Sequence, residues 1–436
     1  MMNIIKYPQK KDWDQILKRP SLGDGMVNQA VLEILDDIKK NGDSAIRQYT
    51  HKFDKVLLDD FRVTEREIND AEQQVDAILK KSIQTAKQNI EKFHSAQKSA
   101  RKVVETTPGV FCWQKSVPIE KVGLYIPGGS APLFSTVLML GIPAILAGCN
   151  EIILCTPPNK EGKVHPAILY TAKLIGLTKI YKIGGIQSIA AMAYGTETVP
   201  RVAKIFGPGN LYVTAAKQIV AMHGVAIDMP AGPSEVAIMA DHSAVPSFIT
   251  ADLLSQAEHG ADSQVILFTC HEEILDPILK ELDSQLEALP RKEIAKKALE
   301  NSKAIVLKSA EEMLEISNEY APEHLIIALE NAPDMADRIV NAGSVFIGNF
   351  SPESAGDYAS GTNHALPTAG YAKGYSGVNL DSFMRKVTFQ QLSKYGLFNI
   401  GPTIEAMAEA EQLMAHKNAA TIRLNAIINE SKKSNV

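Results

Sequence analysis

The run Lys121-Val122-Gly123-Leu124-Tyr125-Ile126-Pro127-Gly128-Gly129 decides the fold class of this chain. After Lys121 the run is apolar as far as Ile126, which is typical of a strand buried on both faces, and the proline and glycines predict a turn. A helix is predicted next at 136–147, and the apolar run at 151–155 predicts a second strand. A strand, a turn, a helix and another strand in this order predict a parallel sheet covered by helices.

The same alternation continues along the chain and predicts a second unit of the same kind. Further strands are predicted at 179–183, 204–206, 236–240, 264–269, 304–307, 324–329 and 344–347. A short echo between 147–155 and 259–267, each with a glycine before a buried strand, indicates units of related design. The amphipathic segments up to about residue 104 and from 403 onward predict helical extensions. We therefore predict an α/β fold with two doubly wound units.

Composition favours a globular protein over a nucleic-acid or membrane protein. The 436 residues, 45% of them hydrophobic, exceed what one small core needs and predict two or more domains. A net charge of −5 and 6% aromatic residues offer no basic or base-stacking surface for nucleic acid. The uncharged stretch at 122–150 is long enough to span a bilayer, but its prolines and glycines interrupt any continuous helix. Lysines at positions 6, 10 and 11 interrupt any apolar run near the N-terminus, so no signal peptide is expected there. The few cysteines favour reduced thiols, so we expect a cytoplasmic protein.

The four cysteines are Cys112, Cys149, Cys155 and Cys270, and no two of them form a CxxC pair. A disulfide scaffold and a structural zinc knot are therefore not expected. Cys149 and Cys155 flank or lie in an apolar strand, which favours buried thiols. A thiol nucleophile for aldehyde oxidation stays open as the less favoured alternative.

Three glycine turns follow predicted strands and precede predicted helices. They are 127–129, Gly184-Gly185-Ile186-Gln187 and Gly207-Pro208-Gly209-Asn210. Doubly wound sheets bind nucleotides at such strand ends, next to helix N-termini. One such turn alone would be ordinary turn chemistry, but three in one unit favour a nucleotide or anion site.

Two polar clusters contain residue types that bind metals or move protons. Gln256 and His259 are three residues apart on a predicted helix that stops at Gly260, so both side chains share one face. Imidazole is the commonest protein ligand for zinc-like metals, although a single histidine is more often a cap or core residue. Glu323 and His324 directly precede a predicted strand, where neighbouring side chains point to opposite faces. Both can serve one site only if the chain bends there.

Two further clusters lie downstream. The segment 353–364, which contains Asp357 and His364, is polar and rich in small residues, which is typical of a binding loop. Glu411 and His416 are five residues apart, which favours a solvated helix end over a shared helical face.

Together these motifs resemble the histidinol dehydrogenase family. The resemblance is carried by the strand and turn at 122–129, by 206–210, by Asp228-Met229-Pro230-Ala231-Gly232-Pro233-Ser234-Glu235 and by all four polar clusters. It extends from Lys121 to Asn425, with a weaker helical part before it. The family's nucleotide site departs from the ordinary glycine fingerprint, which fits the absence of a G-x-G-x-x-G motif.

The resemblance implies Rossmann-like units that are incomplete dinucleotide-fold variants. We expect a helical arm at 1–22 and a first Rossmann-like domain, with the metal and catalytic residues, at 23–120 plus 236–378. A second Rossmann-like domain, which binds NAD, is expected at 121–235. A helical tail that contacts a second subunit is expected at 379–436.

The resemblance also implies the site residues. One zinc ion per subunit would be held by Gln256, His259, Asp357 and His416, the last from the partner subunit of a homodimer. The catalytic residues would be Glu323 and His324. The substrate contacts would be Ser234, Gln256, His259, His324, Asp357, His364, Glu411 and His416. The NAD contacts would be Tyr125, Gln187 and Asn210.

The implied reaction is the oxidation of L-histidinol by two molecules of NAD, through L-histidinaldehyde to L-histidine, in the last steps of histidine biosynthesis. His324 would be the general base, neutral when it acts, and Glu323 would activate water for the second oxidation. A zinc hydrolase on an α/β scaffold is the alternative, with Glu323 as base for metal-bound water. A non-catalytic nucleotide-binding protein is a third reading.

Overall fold

The computed structural model describes residues 2–20, 24–128 and 131–433, so Gly129 of the first glycine turn lies outside the described residues. The chain forms two compact units. The first comprises Met1–Gln97 and Ile119–Phe383, and the second comprises Lys98–Pro118 and Met384–Val436.

The strands of the described residues form two parallel sheets and one antiparallel sheet. In chain order they are β1 (Asn3–Lys6), β2 (Val103–Thr107), β3 (Val110–Pro118), β4 (Lys121–Tyr125), β5 (Glu151–Thr156), β6 (Ile180–Lys182), β7 (Lys204–Phe206), β8 (Ala226–Ile227), β9 (Glu235–Ala240), β10 (Gln264–Thr269), β11 (Lys303–Val306), β12 (His324–Ala328), β13 (Ser344–Ile347) and β14 (Met384–Leu392).

The α-helices of the first unit cover its parallel sheets, and those of the second unit follow β14. In chain order they are α1 (Trp13–Ile16), α2 (Asp24–Asp54, interrupted at Gly42), α3 (Glu65–Ala71), α4 (Ala77–Ser95), α5 (Phe134–Ala147), α6 (Pro166–Leu174), α7 (Gly185–Tyr194), α8 (Leu211–Met222), α9 (Pro246–Ala257), α10 (Leu275–Ala288), α11 (Lys292–Glu300), α12 (Ala310–Tyr320), α13 (Ala332–Ala336), α14 (Glu353–Tyr358), α15 (Lys394–Ala410) and α16 (Met414–Lys433).

The six-stranded parallel sheet has the order β1-β11-β10-β9-β12-β13, and its strands β9, β10 and β12 are buried on both faces. In β9, Val236 and Ile238 belong to one hydrophobic core, and Ala237 and Met239 belong to the core on the other face. Two buried faces explain why the strands are apolar without alternation. His324 pairs in register with Val236, so the N-terminal ends of β12 and β9 lie side by side.

The five-stranded parallel sheet has the order β6-β5-β4-β7-β8. Leu124 pairs with Phe206, so the turns that follow β4 and β7 are neighbours. Gly207 has φ 130°, and a Cβ there would lie 2.1 Å from the carbonyl oxygen of Tyr125. Only glycine fits this close approach of two turns.

The predicted α/β class with parallel sheets is confirmed, and the strands at 204–206, 264–269 and 344–347 have the predicted bounds. The prediction of purely helical ends is wrong. Asn3–Lys6 is an edge strand that pairs with β11, and Met384–Leu392 is a strand that pairs with β3. In β14, Val387, Thr388 and Phe389 favour a strand, and the Phe389 ring stacks on Trp113 with centroids 5.5 Å apart.

None of the described helices combines the length and the apolar character that crossing a membrane requires. The apolar helix α5 has 14 residues and contains Pro143. In the described part of the uncharged stretch at 122–150 the structure has strand β4 and the largely buried helix α5, which confirms the predicted strand and helix.

Candidate active site

A cavity of about 350 Å³ in the first unit collects most of the predicted site residues. Its wall includes the turn after β7, the segment that leads into β9, the end of α9 and the start of β12. The predicted residues that line it are Asn210, Ser234, Gln256, His259, Glu323, His324, Asp357 and His364. Side chains that are far apart in the chain thus meet in one place.

Glu323 and His324 both reach this site because the chain bends just before β12. Helix α12 ends at Tyr320, the next residue Ala321 caps it in a left-handed conformation with φ 52°, and Pro322 follows. Glu323 Oε2 then lies 3.6 Å from His324 Nδ1. The bend that the adjacent pair required is therefore present.

The main chain of Glu235 holds three of the site's side chains. Its N–H donates to Glu323 Oε2 over 2.9 Å. Its carbonyl oxygen lies 3.2 Å from His324 Nδ1 and 3.3 Å from Gln256 Nε2. When Nδ1 carries the proton it donates to this carbonyl, which leaves the Nε2 lone pair of the neutral imidazole free. When the proton moves to Nε2, Nδ1 accepts from Gln256 Nε2, 2.9 Å away.

His324 is buried among carboxylates. Its Nδ1 lies 3.8 Å from Glu353 Oε1, and its Nε2 lies 3.7 Å from Asp357 Oδ1. Nε2 is buried and has no hydrogen-bond partner, so it is the ring atom open to a ligand. Burial lowers the pKa of His324, but Glu353, Glu323 and Asp357 more than offset this and raise it to about 10. The three carboxylates therefore favour the protonated imidazole over the neutral base expected from the sequence, and a cation bound at the same carboxylates would counter this effect.

The neighbouring carboxyl groups have different electrostatic environments. Burial raises the pKa of Glu323 to about 7, near the value that suits a general base at neutral pH. Burial also raises the pKa of Glu353 to about 8. The pKa of Asp357 is lowered, because its interactions with His324 outweigh the effect of its burial.

Glu353 begins the predicted binding loop but was not among the predicted site residues. The structure places Glu353 and Asp357 four residues apart on the short helix α14, where they share a face. Ligand atoms of His324, Glu353 and Asp357 lie within 4.8 Å of one another, so these three groups could hold a metal ion. The four-residue spacing of Glu353 and Asp357 in the sequence is the pattern that could have indicated their shared helical face.

The predicted zinc ligands Gln256, His259 and Asp357 line the same cavity. The bonds of Gln256 Nε2 to Glu235 and His324 tie down the nitrogen of the amide, so its oxygen is the atom left for a metal. Partial desolvation lowers the pKa of His259, which favours the neutral form that binds metals. An imidazole, a carboxylate and an amide oxygen, with the unpaired Nε2 of His324 nearby, fit a divalent metal. Glu411 and His416 lie in the second unit, where both are exposed.

Two of the predicted NAD contacts lie together at the N-terminus of α7. The Tyr125 hydroxyl accepts from the Gly185 N–H over 3.4 Å. Gln187, which is buried, donates from Nε2 to Asp54 Oδ2 over 3.3 Å. Burial raises the pKa of Asp54 to about 6. Asp54 was missed because nothing near it in the chain indicates this long-range contact.

The third predicted NAD contact, Asn210, is exposed and lines the cavity. Its Oδ1 accepts from the Val213 N–H over 3.1 Å and caps helix α8. Close by, Asp228 forms an ion pair with Lys217 (Oδ1 to Nζ, 2.5 Å) and accepts from the Gly207 N–H over 2.8 Å. These bonds fix the glycine turn after β7.

His364 has a partner on each ring nitrogen. Nδ1 donates to the Asp357 carbonyl oxygen over 2.9 Å, and Nε2 accepts from Thr136 Oγ1 over 3.1 Å. Burial lowers the pKa of His364, so the neutral tautomer is favoured. Thr136, in the first turn of α5, also lines the cavity and was not predicted.

None of the four cysteines is among the described residues that line the cavity. Burial raises the pKa of the Cys149 thiol to about 11, and burial also raises the pKa of Cys155. Both groups are therefore poor nucleophiles at neutral pH. This disfavours the thiol alternative.

Known proteins share this fold and sequence over almost their whole length. The family model for histidinol dehydrogenase matches residues 17–424. The histidinol dehydrogenase of Bacteroides thetaiotaomicron is 60% identical over 427 residues, which cover 98% of this chain and 100% of that protein. That of Escherichia coli O157:H7 is 51% identical over 420 residues, with 96% of each chain covered.

A solved structure agrees with these relatives. The crystal structure of histidinol dehydrogenase from Elizabethkingia anophelis is 58% identical, has a TM-score of 0.96 and covers 98% of each chain. The family model spans far more than half of the chain, and the relatives are well above 30% identical. The chain therefore belongs to the histidinol dehydrogenase family of dehydrogenases.

Proposed function

We propose that this enzyme oxidises L-histidinol through L-histidinaldehyde to L-histidine, in two NAD-linked steps at a zinc site. One observation carries the proposal: Glu323 and His324 share a cavity with Gln256, His259 and Asp357. Two proton-transfer groups and a metal-binding donor set thus face the same small volume. Membership of the histidinol dehydrogenase family supports L-histidinol as the substrate.

In the first oxidation the alcohol carbon loses a hydride and the hydroxyl group loses a proton. NAD supplies the two-electron acceptor in each step. His324 Nε2 is the atom that takes the hydroxyl proton, since it is the unpaired ring nitrogen at the cavity. The Glu235 carbonyl group, which accepts from Nδ1–H, then stabilises the imidazolium that forms.

In the second oxidation water adds to the aldehyde carbon, and the resulting hydrate loses a second hydride and a second proton. Glu323 takes the proton from water, because its pKa of about 7 makes it a suitable base at neutral pH. The Glu235 N–H holds its Oε2, so one carboxylate oxygen stays fixed while the other is available. His324 takes the proton of the hydrate.

Gln256, His259 and Asp357 would hold the zinc ion, together with His416 of a second copy. When bound, zinc would orient the amine and imidazole of the substrate, and its positive charge would lower the pKa of His324 towards neutrality. Exposed apolar side chains on α15 and α16 support a dimer, because such patches mark association surfaces. They include Tyr395, Phe398, Met407, Met414 and Ile422.

The test is an assay of NADH formation from L-histidinol, before and after chelation and after zinc is added back. We expect activity that chelation abolishes and zinc restores. No NADH from the untreated enzyme would refute the dehydrogenase proposal and favour the zinc hydrolase. Full activity in protein shown to be free of metal would refute the zinc site alone.

A further inference from the structure

Glu235 is the first residue of β9, and its side chain is separated from the site that its main chain organises. Among the described residues Glu235 does not line the cavity. Its N–H and its carbonyl oxygen nevertheless contact Glu323, His324 and Gln256. Whatever fixes the main chain of Glu235 therefore also fixes the orientation of these three side chains.

The side chain of Glu235 is held by an ion pair with Arg19. Arg19 Nε donates to Glu235 Oε1, and Nη2 donates to Oε2 over 3.0 Å. The Ala369 N–H donates to Oε1 over 3.0 Å. The Glu235 side chain is 3% exposed and that of Arg19 is 22% exposed, so solvent screens this pair far less than a surface pair.

Arg19 also holds the chain segment that carries the two catalytic residues. Its Nη2 donates to the Tyr320 carbonyl oxygen over 2.8 Å, and its guanidinium carbon lies 4.0 Å from the centroid of the Tyr320 ring. Tyr320 ends α12, three residues before Glu323. A single guanidinium group therefore joins the start of β9 to the bend that precedes β12.

We infer that Arg19 and Glu235 are positioning residues for the reaction, an inference that rests on the proposed function. Among the described residues, neither Arg19 nor Glu235 lines the cavity. The pair acts through the Glu235 main chain on one side and through the Tyr320 main chain on the other. The segment before residue 20 is thereby part of the machinery of the site. A displacement of about 1 Å in such groups can slow a reaction about 100-fold.

Arg19→Met is the main test, because methionine keeps an unbranched apolar side chain and removes every guanidinium bond. We expect kcat to fall about 10- to 100-fold, the usual cost of losing a residue that orients a ligand or catalytic group. KM for L-histidinol and NAD should change less than about threefold, because the groups that bind them remain. Arg19→Lys, which restores the charge without the two-pronged geometry, should recover part of kcat.

Arg47→Met is a matched control. Arg47 makes two of the kinds of contact that Arg19 makes, since Nη2 donates to the Asp59 carbonyl oxygen over 2.8 Å and the guanidinium carbon lies 5.1 Å from the Phe61 ring centroid. It does not line the cavity. All variants are assayed at a temperature at which circular dichroism shows them folded, so lost stability alone does not lower kcat. Arg47→Met should keep the wild-type kcat.

The inference is refuted if the kcat of folded Arg19→Met stays within about twofold of wild type. It is also refuted if the kcat of Arg19→Met falls no further than that of Arg47→Met. If Arg19→Met does not fold, Glu235→Gln takes its place, because glutamine keeps the shape but loses the charge that binds Arg19. Glu235→Gln with an unchanged kcat refutes the inference equally. Wild-type enzyme that forms no NADH from L-histidinol would instead refute the proposed function, so the two failures are distinguishable.

Discussion

Replacement of Glu323 by glutamine should separate the two oxidations. Glutamine keeps an oxygen that can accept the Glu235 N–H, which lies 2.9 Å from Glu323 Oε2, so the fold should survive. It cannot take a proton from water. Because a positioned general base contributes about 10²- to 10⁴-fold to a rate, the oxidation of L-histidinaldehyde should slow by about this factor.

In the Glu323→Gln variant the rate of the first oxidation should fall much less than the rate of the second. The first oxidation needs His324, whose Nδ1 lies 3.6 Å from the Glu323 carboxylate, and that carboxylate raises the pKa of the imidazole. Removal of the negative charge favours the neutral imidazole, which is the form that accepts the hydroxyl proton. We therefore expect the first step to change by less than about 10-fold.

The two half-reactions can be measured separately. NADH formation from L-histidinaldehyde follows the second step, and NADH consumption with L-histidinaldehyde follows the reverse of the first. In the wild type the second step should accelerate as the pH rises through about 7, because burial raises the pKa of Glu323 to about 7 and only the ionised carboxylate acts as a base. The glutamine variant should lack the part of this rise that comes from Glu323 and keep only the part that comes from His324. Equal losses in both half-reactions would refute the role of Glu323 in water activation.

Three further sets of substitutions test the proposed sharing of the zinc site between subunits, the proposed NAD site and the turn after β7. Mixed His259→Ala and His416→Ala chains, each inactive alone, should regain about a quarter of wild-type activity, because half of the dimers are mixed and each has one intact site. Asp54→Ala should raise KM for NAD about 10-fold by freeing Gln187, and the effect should shrink as the pH falls below about 6, where Asp54 is protonated. Gly207→Ala should lower the free energy of unfolding by more than about 1 kcal/mol, because its Cβ would lie 2.1 Å from a main-chain oxygen.

Each of these has a control and an outcome that contradicts it. No recovery in mixed chains, with subunit exchange confirmed by mass spectrometry, would place the whole site in one chain. An unchanged KM for NAD in Asp54→Ala would remove Asp54 from the nucleotide site. Gly224→Ala is the control for the glycine, since Gly224 also has positive φ (88°) but nothing lies within 4 Å of its Cβ position. If both alanine variants lose the same free energy of unfolding, the clash with the Tyr125 carbonyl oxygen does not contribute to the destabilisation of Gly207→Ala.

The parallel sheets could be predicted from the sequence because their strands are apolar on both faces. β10, for example, has the predicted bounds, and all of its residues are buried. The edge strand β1 and the antiparallel strand β14 lack this signal, since most of their residues are exposed. Both strands are stabilised by pairing with a neighbour, β1 with β11 and β14 with β3, which the local sequence does not show.

Most site residues could be predicted because they lie in recognisable motifs at strand ends. Glu323 and His324 share such a motif, and the sequence set a bend of the chain as the condition for both to serve one site. Arg19, Glu353 and Asp54 were given no role, because their importance comes from contacts with residues far away in the chain. The pKa of about 10 for His324 was missed for the same reason, since three carboxylates from different segments set it.

Anomalous diffraction at the zinc edge, from crystals of the zinc-loaded enzyme, would locate the metal and its ligands. We expect one peak per subunit, about 2.0–2.2 Å from an imidazole nitrogen of His259, a carboxylate oxygen of Asp357 and Oε1 of Gln256. A peak held instead by His324, Glu353 and Asp357, whose ligand atoms lie within 4.8 Å of one another, would contradict it. So would the absence of any peak in the cavity, because the proposed ligands would then have no ion to share.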